Sequence, residues 1–174
     1  MSNEWIYKTN KDNTARYTLG KQGKRNLICI GINPHYAEPN NLDHTLKRVR
    51  NISKNNGYDG WLMLNLYPQR GRYAVNVIPS LQKQIISDNI YFIKEALTLN
   101  SYKDVWAAWG GDITEHKYFK YCLEEIYKVL NDDYNWMNYG DLAYKDTHPR
   151  HPSRTPDSLT FKKFDIAYYL KEIL

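Results

Sequence analysis

Cysteine is scarce in this chain of 174 residues, which holds only two. Cys29 lies in an apolar run and Cys122 in an amphipathic one, so both read as small buried hydrophobes rather than as a disulfide pair. No apolar stretch approaches bilayer-spanning length, and Met1-Ser2-Asn3-Glu4-Trp5 lacks a basic flank followed by an apolar core. The expectation is a cytoplasmic protein, neither exported nor embedded, with no membrane partner. Internal repeats, low-complexity tracts and long Pro/Gly/Ser linkers are also missing, which leaves one domain over residues 1–174 as the default.

Several chemistries lose their usual signatures. No Gly-x-x-x-x-Gly-Lys loop occurs, and Gly110-Gly111 alone is too weak for a nucleotide fingerprint. Ser153 is outside any Gly-x-Ser-x-Gly elbow and Cys29 sits inside a strand-like run, so neither is a supported nucleophile. His35, His44, His148 and His151 have ligand chemistry, but no cysteine pair, helical histidine pair or carboxylate accompanies them at a recognised metal spacing. No metal and no cofactor are expected.

What the chain does have is a net charge of +5 and 14% aromatic residues, sixteen of them tyrosine. A basic surface with exposed rings suits polyanions whose bases stack, although a lysine-rich solvated face is the commoner origin of such an excess.

Alternating strand and helix patterns run along the chain. Residues from Tyr17 to Gly23 read as a short edge strand and turn, and Leu27 to Ile30 as a buried parallel strand. Asp43 caps a helix with Leu46, Val49 and Ile52 at helical spacing, stopped by Gly57. Trp61 to Leu64 is the next buried run, followed by a loop through Ser80 that holds Gln69, Arg70, Arg72 and Tyr73. A helix covers Asp88 to Leu99, a strand Val105 to Trp109, and Asp112 with Glu115 opens a further helix through Leu130. Trp136 to Tyr139 completes a four-stranded core, and a final helix runs from Asp157 to Leu174. This alternation predicts an α/β protein, a three-layer α/β/α sandwich around a central, mainly parallel four-stranded sheet.

Four segments fall at or just after the ends of those strands: Gly31-Ile32-Asn33-Pro34-His35, Leu62 to Asn65, Trp106 to Gly110, and His151-Pro152-Ser153. Open α/β sheets bind ligands in the crevice at the carboxyl ends of their strands, so the four read as one site. Gly31 permits a tight turn and Pro34 stiffens the backbone that presents Asn33 and His35, unless these are ordinary turn formers. Asn65 offers an acceptor and a donor pair that complement the amide edge of a pyrimidine, or it satisfies backbone groups at a strand end. His148-Pro149-Arg150-His151-Pro152-Ser153-Arg154 is an extended loop able to present His151 to developing negative charge and Ser153 and Arg154 to phosphates. Trp106 and Trp109 read as core or as a wall of the pocket.

In order and spacing these segments resemble the motifs of the uracil-DNA glycosylase superfamily. The resemblance implies that fold, with Asn33 positioning a water, Asn65 holding the base edge and His151 supporting the leaving base; Gly31, Ile32, Pro34, His35, Trp109 and Gly110 surround the substrate. Tyr36 takes the place of the base-stacking aromatic, and Arg150, Ser153 and Arg154 grip the nucleic acid. Over a longer stretch the chain is similar to the bacterial and phage family DUF1643, through Arg16-Tyr17-x-Leu19, Asn33-Pro34, Asp43-x-Thr45-Leu46-x-Arg48, Asn65-Leu66 with Arg70, Ala107 to Gly110 and Pro149 to Pro152. That pattern adds Arg16, Arg48 and Arg70 to the substrate-binding set and brings no established reaction.

The expected function is therefore a nucleobase-recognising hydrolase that cleaves the N-glycosidic bond of a base, modified or not. Its partner is nucleic acid, DNA first, or a nucleotide. Two alternatives stand beside it: a non-catalytic nucleotide or modified-base binding protein on the same fold, and a phage or host interaction protein.

Overall fold

In the computed structural model, which describes residues 4–71, 79–99 and 101–174, a seven-stranded mixed sheet carries the chain. The strands are β1 (Trp5–Thr9), β2 (Arg16–Lys21), β3 (Asn26–Gly31), β4 (Gly60–Asn65), β5 (Tyr102–Ala107), β6 (Asn135–Tyr139) and β7 (Phe161–Lys163), in the spatial order β1-β2-β4-β3-β5-β6-β7. β4, β3, β5 and β6 pair in parallel, whereas β1, β2 and β7 join antiparallel at the flanks. Seven strands thus replace the four expected.

The additional strands come from short or polar segments whose pairing is decided by neighbours. The segment read as an edge strand, β2, is internal, because Trp5–Thr9 pairs along its outer side. Phe161–Lys163, expected inside the last helix, instead pairs with β6, and Gly140 and Phe164 extend that alignment by donating to the Thr160 and Trp136 carbonyls. A three-residue strand carries no periodicity of its own, so only the partner reveals it.

The helices follow their apolar stripes more closely. α1 (His44–Asn55) begins where the Asp43 side chain accepts the Leu46 N–H at 2.9 Å, and buries Leu46, Val49 and Ile52. Gly57, with φ 81°, follows its end. α2 spans Pro79–Leu99 and α3 Lys117–Leu130, the latter burying Phe119, Cys122, Leu123 and Ile126. The Asp112 and Glu115 spacing does not cap α3. Those residues belong to a separate 3-10 turn, Gly111–Thr114, closed by Glu115 N–H on the Asp112 carbonyl, and extended His116 then starts α3. At the other end, α4 is a single turn, Ile166–Tyr168, running into a π turn at Tyr169–Ile173.

Strand alternation divides the apolar residues between two faces. Leu27, Cys29, Trp61, Met63 and Trp106 pack with the buried stripe of α1. Ile28, Ile30, Leu62, Leu64 and Val105 pack with α2 and α3. Each such aliphatic side chain contributes about 1.5–3 kcal/mol on burial. Both cysteines are buried free thiols. With both faces covered, chemistry is left to the strand ends, where Gly31 of β3 lies in register with Asn65 of β4.

Candidate functional site

A cavity of about 250 Å³ opens at the carboxyl ends of β3, β4 and β5, between α1 and the loop after β6. All four segments reach it: Gly31, Ile32, Asn33, Pro34 and His35 from the first, Asn65 from the second, Trp109 and Gly110 from the third, and His151 and Ser153 with Arg154 from the fourth. Arg16, at the start of β2, lines it as well.

Asn65 is 1% exposed, and neither its amide nitrogen nor its amide oxygen has a hydrogen-bond partner. An unpaired buried amide costs about 1–3 kcal/mol for each missing bond. Gly31 leaves it room. A Cβ at that position stands 3.3 Å from the Asn65 Oδ1 and 2.6 Å from Met63 Cε.

Asn33 is committed differently. Its Nδ2 donates to the Gly71 carbonyl and, at 3.5 Å, to that of Gln69, so the side chain ties the end of β3 to the loop after β4. His151 receives the Ser153 N–H on Nδ1 at 3.3 Å, and the Ser153 hydroxyl lies 2.7 Å from the same nitrogen. With Nδ1 accepting, the neutral ring carries its proton on Nε2. Burial pulls the His151 pKa below the ordinary imidazole range, against the opposing pull of the Asp112 carboxylate. The ring is therefore a neutral donor at physiological pH.

Arg16 is a buried cation, 1% exposed, whose Nη1 donates to the Ala37 carbonyl at 3.2 Å and whose Nε has no partner. Burial, reinforced by repulsion from Arg70 and offset in part by Asp43, brings its pKa down to about 10. It stays charged at neutral pH. Trp109 forms a fixed wall: its Nε1–H donates to the Tyr169 oxygen at 3.1 Å, and the Tyr169 hydroxyl lies 2.7 Å from His148 Nδ1. The indole only donates, so the Tyr169 proton goes to His148, which accepts as the neutral tautomer.

Four of the residues named from sequence fall elsewhere. Tyr36 is 75% exposed and, with Arg70, lines a separate shallow depression. Arg70 braces loops, donating to the His35 carbonyl at 2.5 Å, Tyr7 at 2.9 Å and Asn13 at 3.0 Å. Arg48 holds the fourth segment from behind, through the carbonyls of Pro152 at 2.8 Å and Thr155, and through Asp157. Arg150 donates to the Asp141 carbonyl at 2.9 Å. Arg72 and Tyr73 lie outside the described residues.

Asp43, Thr45, Leu46, Met63, Asp112 and Tyr144 also line the cavity. Asp43 was legible as a helix cap and as part of the DUF1643 pattern. Tyr144 gave no signal at all: it opens three successive left-handed residues, Tyr144, Lys145 and Asp146, with φ 55°, 62° and 57°. Its ring occupies the space that a Cβ on Gly111 would need, 3.0 Å away. The aromatic at this cavity is thus Tyr144, with Trp109, and not Tyr36. Among the described residues no cluster of three or more histidine, cysteine or acidic side chains forms a metal-binding group, and no helix is long and apolar enough to cross a membrane.

The model of the family described as "Protein of unknown function (DUF1643)" matches residues 16–153. This chain belongs to the DUF1643 family. The DUF1643 match begins at Arg16 and ends at Ser153, so it takes in every cavity-lining residue except Arg154. Neither the curated proteins nor the solved structures contain a match to the chain.

Proposed function

We propose that this cavity binds a nucleobase and that the protein hydrolyses its N-glycosidic bond, in DNA or in a nucleotide. The observation that carries the reading is Asn65. A donor and an acceptor side by side, buried and unpaired, are the complement of a base edge. At 250 Å³ the space is below the ~300–1,000 Å³ of pockets for drug-sized ligands, which favours a base over a whole nucleotide inside it. A base within a duplex has to be extruded to enter.

The division of labour follows from the groups present. Asn65 holds the base edge, and Trp109 and Tyr144 offer it aromatic walls. His151, neutral with its proton on Nε2, donates toward the departing base as the bond to the sugar breaks and its electron pair leaves with the base. Water adds to the sugar carbon and its proton ends on the base. Ser153 and Arg154 suit the flanking phosphates. The order of the four segments, which resembles that of uracil-DNA glycosylases, supports this assignment.

A binding protein without chemistry is the second reading, and Asn33 favours it. Its amide nitrogen is used by the Gly71 and Gln69 carbonyls, a bracing role that leaves less of the side chain for orienting water. One experiment separates the two. Single- and double-stranded oligonucleotides carrying uracil or hydroxymethylated bases are incubated with the protein and tested for alkali-labile abasic sites. Hydrolysis predicts base release that His151→Ala abolishes. Tight binding without release from any substrate leaves the binding reading.

A further inference from the structure

We infer that Arg16 makes the cavity select ligands presenting a carbonyl at the edge that Asn65 reads, and reject those presenting an amino group there. The inference rests on the nucleobase reading and adds the class of base.

Asn65 alone does not discriminate. Its amide donates from one side and accepts from the other, and a half-turn exchanges them. Because neither atom has a protein partner, nothing in the fold fixes which way it faces. The carboxamide therefore serves a carbonyl and an amino group equally.

Arg16 breaks that symmetry. It is the other polar side chain at this cavity that is 1% exposed, and a guanidinium has five N–H donors and no acceptor. One donor serves the Ala37 carbonyl and Nε serves none. Its backbone is anchored where Arg16 N–H donates to the Pro68 carbonyl at 2.9 Å. Among the described residues no carboxylate forms an ion pair with it. The acidic group that offsets its charge, Asp43, has its Oδ1 occupied by the Leu46 N–H. A buried, always-charged donor without a paired anion demands an acceptor from the ligand. A carbonyl oxygen supplies one, whereas an exocyclic amino group sets N–H against N–H and leaves both unsatisfied.

The test is calorimetric binding of two nucleoside pairs to the whole protein: deoxyuridine against deoxycytidine, and deoxyinosine against deoxyadenosine. Within each pair a carbonyl is exchanged for an amino group, together with the proton on the adjacent ring nitrogen. The wild type is expected to favour the carbonyl member of both pairs by about tenfold or more. Arg16→Met is expected to bring each pair toward equal affinity, and Arg16→Lys, still a charged donor, to keep part of the preference. Asn65→Ala is expected to weaken all four nucleosides. Binding of all four with equal affinity overturns the role of Arg16 and leaves the nucleobase reading standing. Binding of none overturns both. Should Arg16→Met fail to fold, as judged by circular dichroism, the wild-type ratios and Arg16→Lys still decide.

Discussion

At the amino-terminal end of β3, Asn26 donates to the Gly23 carbonyl at 3.0 Å and accepts the Gly23 N–H at 2.8 Å. At the carboxyl end of β4, Asn65 is more deeply buried still and makes neither bond. The surroundings differ in the same sense. Beside Asn26, the Tyr58 hydroxyl and the Asn135 amide both donate to Asp104, at 2.7 and 2.9 Å, and Arg25 stacks on the Tyr58 ring at 4.4 Å. At the cavity that Asn65 lines, the Arg16 Nε is unpaired too. One end of the sheet is finished with internal bonds. The other keeps buried polar groups open, a cost that folding alone does not explain and that a ligand removes.

Replacing the two asparagines by leucine gives the sharpest way to break this comparison. Asn65→Leu is expected to lower nucleoside affinity about a hundredfold, the worth of two lost hydrogen bonds, while thermal stability holds or rises. Asn26→Leu is expected to do the opposite, costing about 2 kcal/mol in urea denaturation because the Gly23 N–H and carbonyl lose their partners, with affinity unchanged. Equal stability losses from both would erase the distinction between the ends.

A smaller effect is expected from Gly31→Ala. The added methyl displaces the flexible end of Met63 and crowds the Asn65 oxygen, lowering affinity by roughly tenfold with a stability change of about 1 kcal/mol. Arg48→Met removes the bonds that hold the backbone at Pro152 and Thr155, and is expected to cost about 1 kcal/mol and weaken turnover through a misplaced His151.

Acid supplies the mildest test. Burial lowers the pKa of both His148 and His151, so below the unfolded imidazole pKa of about 6.5 the unfolded chain binds more protons than the folded one. Stability present above about pH 6.5 is lost as the pH falls toward the depressed folded values. The melting temperature is expected to drop between about pH 7 and pH 5, and to drop less in His148→Gln, whose side-chain oxygen still accepts the Tyr169 hydroxyl. An unchanged slope would argue that the His148 pKa is the same in the folded and unfolded chain.

Much of this molecule was legible beforehand because its parallel strands and helices announce themselves locally. Leu27 to Ile30 and Trp61 to Leu64 are continuous apolar runs, and the stripe Leu46, Val49, Ile52 repeats at helical spacing. Asp43 capped the helix expected of it. By contrast Asp112 and Glu115 have the same capping spacing as a true box, yet extended His116 separates them from α3. The rigid stretch at His151 was visible from its prolines, but Arg48, read from the family pattern as a substrate-binding residue, braces that stretch from more than a hundred residues away.

The residues themselves determined the strand-end positions of Gly31 and Asn65, since apolar runs must be buried and their polar successors must stop at the sheet edge, whereas the strand expected to end at Trp109 ends two residues earlier, at Ala107. Tertiary structure alone decided that Asn26 is paired and Asn65 is not, that Arg16 is buried without an ion-pair partner, and that Tyr144 rather than Tyr36 stands at the cavity. Hydrogen-bond satisfaction depends on which distant backbone groups arrive beside a side chain. No local pattern encodes that, because it is settled only when every strand has found its neighbour.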